Sequence, residues 1–103
     1  MVKKENIIKQ IKNFSVLCSE EISIKYVYLF GSVAENRANE YSDIDIAIVS
    51  NNFVGKRYLD RKKLYKYILQ TNSAFEVHPF KSEDFTNEDP FARRILETGI
   101  RIV

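Results

Sequence analysis

Apolar positions along this chain switch repeatedly between a spacing of three to four residues and a spacing of two, and each switch marks the boundary of an element. Ile7, Ile8, Ile11, Phe14, Cys18 and Ile22 recur at helical spacing with lysines between them, which predicts an amphipathic helix over about residues 3 to 21. Residues 24 to 30, IKYVYLF, are β-branched and aromatic. They predict a strand that becomes apolar on both faces towards Phe30 and is therefore central in its sheet. A short helix over residues 32 to 37 and a polar loop over 38 to 42 lead to a second strand over 43 to 50. Its alternation puts Asp43, Asp45, Ala47 and Val49 on one face and Ile44, Ile46 and Ile48 on the other.

After a turn over residues 51 to 55, a second amphipathic helix is predicted over 58 to 71, with Leu64, Tyr65, Ile68 and Leu69 as its apolar stripe. Asp60 falls in its first turn, where a carboxylate suits the helix dipole. Residues 74 to 80, AFEVHPF, read as a third strand with Phe75 and Val77 on one face and Glu76 and His78 on the other. Residues 81 to 89 are polar and acidic, and Ser82 is placed to cap a short turn. Asp89-Pro90 is a helix entrance, followed by Phe91, Ile95 and Leu96 as a core stripe and Gly99 as the stop. A last short strand over 100 to 103 completes the order αβαβαβαβ. The fold class is α/β (α+β), a small mixed sheet flanked by helices with its carboxylates gathered at one edge.

Size narrows this further. A chain of 103 residues is one domain, residues 1 to 103, with a single core. Its 45% hydrophobic and 29% charged residues are those of an ordinary globular protein, and a net charge of +2 does not by itself call for a nucleic-acid partner. One cysteine allows no intrachain disulfide, which fits a reducing cytoplasm. No apolar run approaches membrane-spanning length, and the first ten residues lack the apolar core of a signal peptide. Cytoplasmic localisation, with no membrane partner, is the expectation.

The chemistry concentrates in GSVAENRANEYSDID, residues 31 to 45. A strand that runs straight into Gly31-Ser32 and then a helical turn makes a corner where glycine lets the backbone approach an anion and free amides point at it. Ser32 can act as N-cap and offer its hydroxyl to a phosphate. Asp43 and Asp45, two apart in a strand, send their carboxylates off one face, where each favours protonation of the other unless a cation intervenes. Magnesium resolves that conflict, being a hard ion held by a couple of carboxylates and completed by substrate phosphates. Gly-Ser alone is usually a turn, and Asp-x-Asp alone is usually solvated. Their combination brings a phosphate site and a metal site together.

At these residues the chain resembles the nucleotidyltransferase superfamily that includes DNA polymerase beta and kanamycin nucleotidyltransferase. More closely it is similar to the minimal nucleotidyltransferases, small prokaryotic proteins commonly paired with a HEPN-domain partner in toxin–antitoxin systems. Gly31, Ser32, Asp43 and Asp45 fit the family pattern of Gly-Ser, ten residues, Asp-x-Asp without a gap, and Ala34, Ser42 and Ile44 match its context. Asn36 stands where these proteins usually carry glycine, and asparagine is the next most tolerant residue of positive φ.

The resemblance implies a polymerase beta-like fold and a third carboxylate on the strand after Asp-x-Asp. Glu76 is the only acidic residue there, longer than the usual Asp. It implies ATP as substrate, two Mg²⁺ ions held by Asp43, Asp45 and Glu76, and a triphosphate against Gly31, Ser32, Asp43 and Asp45. The expected activity is transfer of AMP to a hydroxyl, a tyrosine of a HEPN ribonuclease toxin, with no nucleic acid required. Two other readings stand beside it: an antitoxin that neutralises its partner by covering it, and transfer to a small molecule such as an aminoglycoside.

The residues around the motif carry blander expectations. Cys18 on an apolar stripe is a buried structural thiol. Arg37 is within reach of a triphosphate or a solvated surface arginine. His78 is a rim or partly packed histidine that lines the cleft. Lys56, Arg57, Arg61, Lys62, Lys63 and Lys66 form a solvated basic helix face, or a surface for an acidic partner or a polynucleotide.

Overall fold

A computed structural model describes residues 3–103. Four helices, α1 (Lys4–Cys18), α2 (Gly31–Ala34), α3 (Arg57–Thr71) and α4 (Pro90–Thr98), alternate with four strands, β1 (Ile24–Phe30), β2 (Ile44–Ser50), β3 (Phe75–Phe80) and β4 (Ile100–Arg101). A 3₁₀ turn, Ser82–Asp84, precedes α4. Among the described residues no helix is long and apolar enough to cross a membrane.

The strands form one mixed sheet in the order β3-β2-β1-β4. β1 is antiparallel to β2 and to β4, whereas α3 carries the chain back across the sheet so that β3 lies parallel to β2. In this register Asp45 stands between Phe30 on β1 and Glu76 on β3. β3 occupies an edge.

Alternation along the strands divides the core in two. Val27, Leu29, Ile44, Ile46, Ile48, Phe75 and Val77 face α1 and α3, whose Ile7, Ile11, Phe14, Cys18, Leu64, Tyr67 and Ile68 cover them. Phe14 meets Phe75 edge-on, their ring centroids 5.4 Å apart. Cys18 is fully buried there, and burial pushes its thiol up to about 12. Ala47 and Val49 face the other way, towards Phe85, Ala92 and Ile95, with Tyr26, Tyr28, Phe30 and Phe80 packed around them. α4 and Phe85 of the loop before it cover that face. The entrance of α4 is as expected, with Asp89 accepting the Phe91 N–H at 3.2 Å and Pro90 following.

Several local expectations are corrected. α1 ends at Cys18, and residues 19 to 21 form turns. α2 begins at Gly31, so Ser32 lies inside the first turn and caps nothing. Ser82 likewise opens its 3₁₀ turn without a side-chain cap. Asp60 is 1% exposed and accepts the N–H groups of Val54 at 2.9 Å and Gly55 at 3.0 Å, so it holds the preceding loop onto α3 and does more than complement a dipole. The largest departure is the stripe of α3. Leu64 and Ile68 are buried, joined by Tyr67, but Tyr65 and Leu69 stand 60% and 62% exposed. The sheet takes one side of the helix, and those two residues project from the other.

Candidate active site

β1 ends at Phe30 and the chain enters α2 through Gly31, which adopts φ 76°. A side chain at this position would collide with the Asp45 carboxylate. Glycine is therefore required twice, for the left-handed backbone and for the space Asp45 occupies. Lys4 from α1 donates to the Ala34 carbonyl at 3.1 Å and ties down the far end of α2. Asn36 closes the corner with φ 59°, the conformation expected of an asparagine in a glycine's place.

The two motif aspartates leave β2 differently. Asp43 lies one residue before the strand and is exposed, whereas Asp45 is half-buried between the neighbouring strands. Burial pushes the Asp45 carboxyl above its ordinary value. His78 pulls it down, and the charges of Asp43 and Glu76 push it up again. Two acidic neighbours acting on one partly desolvated carboxylate place all three in one electrostatic field.

His78 is built into this cluster more firmly than a rim residue. Its ring packs edge-on against Phe30 at 5.1 Å and Phe91 at 5.6 Å between centroids. Arg57, from the first turn of α3, contacts Nδ1, and Nε2 lies 3.4 Å from Asp45 Oδ1. A guanidinium only donates, so Nδ1 accepts from Arg57 and the neutral ring carries its proton on Nε2, aimed at Asp45. Burial, followed by the Arg57 charge, holds the imidazole below its ordinary value, against the upward pull of Asp45 and Glu76. In the sequence His78 reads as a cleft-lining histidine and Arg57 as part of a basic helix face, with nothing to pair them. Only the fold brings α3 to β3.

Glu76 shares the face of Asp45 and His78, as alternation required, but its carboxylate turns round the sheet edge to Arg61, 3.5 Å away. Among the described residues no group of three acidic, histidine or cysteine side chains is placed to hold a metal ion by itself. The donor set still fits magnesium. It is all oxygen, it carries like charges that raise Asp45, and the Asp45 carboxylate lies directly against the Gly31 backbone. Arg37 is 59% exposed and pairs with Glu35 at 3.3 Å, a surface arginine.

A sheet of this topology, with carboxylates from neighbouring strands beside a glycine corner, is the polymerase beta-like nucleotidyltransferase architecture. The model of the nucleotidyltransferase domain family matches residues 8–102, and the chain belongs to that family of transferases. Comparison with curated protein sequences gives no match. Among solved structures, a proposed nucleotidyltransferase from Sulfolobus solfataricus superposes with a TM-score of 0.70 at 19% identity, over 96% of this chain and 81% of that one. A toxin–antitoxin structure with AMP-PNP gives 0.61 at 18% identity, over 99% and 73%. A variant of the toxin–antitoxin pair MntA–HpeT, in which two aspartates two positions apart are changed to glutamate, gives 0.57 at 17%, again over 99% and 73%. At these identities the likeness is one of fold.

Proposed function

We propose that the chain is the antitoxin of a toxin–antitoxin pair and transfers AMP from ATP to a tyrosine hydroxyl of a HEPN ribonuclease partner. The observation that carries this reading is the juxtaposition at Gly31, where the missing side chain makes room for Asp45 beside the entrance to α2. A toxin–antitoxin structure of the same fold contains AMP-PNP, which supports an adenine nucleotide and a toxin as partner.

In this reading the triphosphate lies against the amides of Gly31 and Ser32, and the Ser32 hydroxyl donates to a phosphate oxygen. Asp43 and Asp45 would hold one Mg²⁺, and Glu76, released from Arg61, would help hold a second. Bound magnesium would offset phosphate charge and lower the pKa of the attacking hydroxyl. Phe30 and Phe91 hold His78 edge-on, and its Nε2 proton keeps Asp45 in one rotamer. The acceptor oxygen bonds to the α-phosphorus, the bond from that phosphorus to the bridging oxygen breaks, and pyrophosphate departs. The hydroxyl proton passes to solvent, and no covalent enzyme intermediate forms.

The test is incubation with α-labelled ATP, Mg²⁺ and the product of the neighbouring gene, followed by mapping of the label. Label on a tyrosine of that product supports the reading. Label on RNA or a small molecule overturns it. Full protection of cells by the Asp43→Asn, Asp45→Asn variant would show that protection is achieved by covering the toxin without catalysis.

A further inference from the structure

α3 carries large apolar side chains on two opposite sides. Asp60, Leu64, Tyr67 and Ile68 face the sheet, while Tyr58, Tyr65 and Leu69 stand 72%, 60% and 62% exposed. On a helix of 3.6 residues per turn the exposed three fall within about 40° of one another, and they form a stripe about 16 Å long. A surface helix needs one apolar face, so the second requires its own explanation. The stripe borders an open groove of about 970 Å³ that runs along α3 and reaches the start of the edge strand β3 at Phe75 and Glu76.

The charges around the stripe select its occupant. Arg61 pairs with Glu76, Lys63 with Asp60 and Lys66 with Glu21. Among the four cations that line the groove, Arg61, Lys62, Lys63 and Lys66, Lys62 is the one with no carboxylate of the described residues within 4.0 Å. Polynucleotide affinity scales with the number of phosphates neutralised, and a surface whose cations are already paired offers few such contacts. A second copy of this chain is disfavoured, because packing α3 on α3 would bring Lys62 and Lys56, which have no carboxylate partner among the described residues, against the same cations of the other copy. Tyrosines and a leucine with one spare cation suit the apolar ridge of a protein helix flanked by acidic side chains.

We infer that the outer stripe of α3, Tyr58, Tyr65 and Leu69 with Lys62, is the docking surface for the acceptor protein and leads its hydroxyl along the groove to Glu76. This rests on the reading of the acceptor as a protein, but the docking step is separable from the chemistry. The opposite side, at Gly31 and Ser32, is left to the triphosphate, so donor and acceptor approach the carboxylates from different directions.

The test uses the full chain, the purified product of the neighbouring gene, and a triple variant, Tyr58→Ser, Tyr65→Ser, Leu69→Ser. The replaced side chains are exposed, so the melting temperature and the Kd for ATP with Mg²⁺ should not move. The Kd for the partner should rise at least about 30-fold, and the KM for it in AMP transfer should rise with little change in kcat. Lys62→Glu alone should weaken the complex and steepen neither salt nor nucleotide dependence.

A complex that forms through the stripe but acquires no label supports the docking surface and defeats the proposed acceptor chemistry. Labelling and binding that are unchanged in the triple variant overturn the docking surface and leave the chemistry intact. Three further results overturn the inference: failure of the wild-type chain to bind the partner, self-association abolished by the triple variant, and salt-steep binding of a single-stranded RNA 20-mer abolished by Lys62→Glu.

Discussion

The two faces of the sheet are made by alternate residues of the same strands, yet they serve opposite ends. Towards α1 and α3, β2 presents Ile44, Ile46 and Ile48, sealed under two long helices. Towards α4 it presents Asp45, Ala47 and Val49, and the single short helix leaves the Asp45 end uncovered. Small side chains at Ala47 and Val49 let α4 sit close, and Phe30, Phe80 and Phe91 wall the acidic end beside His78. Stability is concentrated on one face, so that repelling charges can be held stiffly on the other. A strand is an economical way to do this, because a shift of one residue changes the face.

Substitutions on the two faces should therefore separate activity from stability. The largest effect is expected from Asp43→Asn with Asp45→Asn, which should reduce nucleotide transfer by about three orders of magnitude, or about 4 kcal/mol in the barrier, while circular dichroism stays unchanged. On the opposite face, Ile46→Ala should cost about 3 kcal/mol of stability in urea denaturation by leaving a cavity under α1 and α3. Its kcat for the folded fraction should be that of the parent, and a proportionate fall in kcat would erase the distinction between the faces.

Smaller changes sharpen the picture at the boundary. His78→Ala should raise the magnesium concentration needed for half-maximal nucleotide binding by roughly ten- to a hundredfold, and His78→Gln, which retains a donor, should recover part of it. Equal losses in the two variants would mean that the ring only fills space. The smallest effect concerns Asp45→Asn alone. The fold raises the pKa of this carboxyl, so it is the ionised form that the fold penalises, and the penalty sets in as pH rises through the acid range. The asparagine variant should then melt slightly higher at pH 7, with the gain vanishing in acid where Asp45 is protonated. A lower melting temperature at pH 7 would show that His78 more than compensates for burial.

The amino-acid sequence by itself determined the order of elements, the faces of β2 and β3, the glycine corner and the positive φ of Asn36. Each of these depends on local rules: a period of two or of 3.6, or a backbone conformation that few residues tolerate. The fold alone decided which side of α3 the sheet would take, and so why Tyr65 and Leu69 face water while Tyr67 is buried. It also decided that Arg57 reaches His78, that Glu76 turns to Arg61, and that the absent side chain of Gly31 makes way for Asp45. These partners lie between 14 and 21 residues apart in the chain, and their meeting depends on strand order and helix placement, for which local periodicity carries no signal.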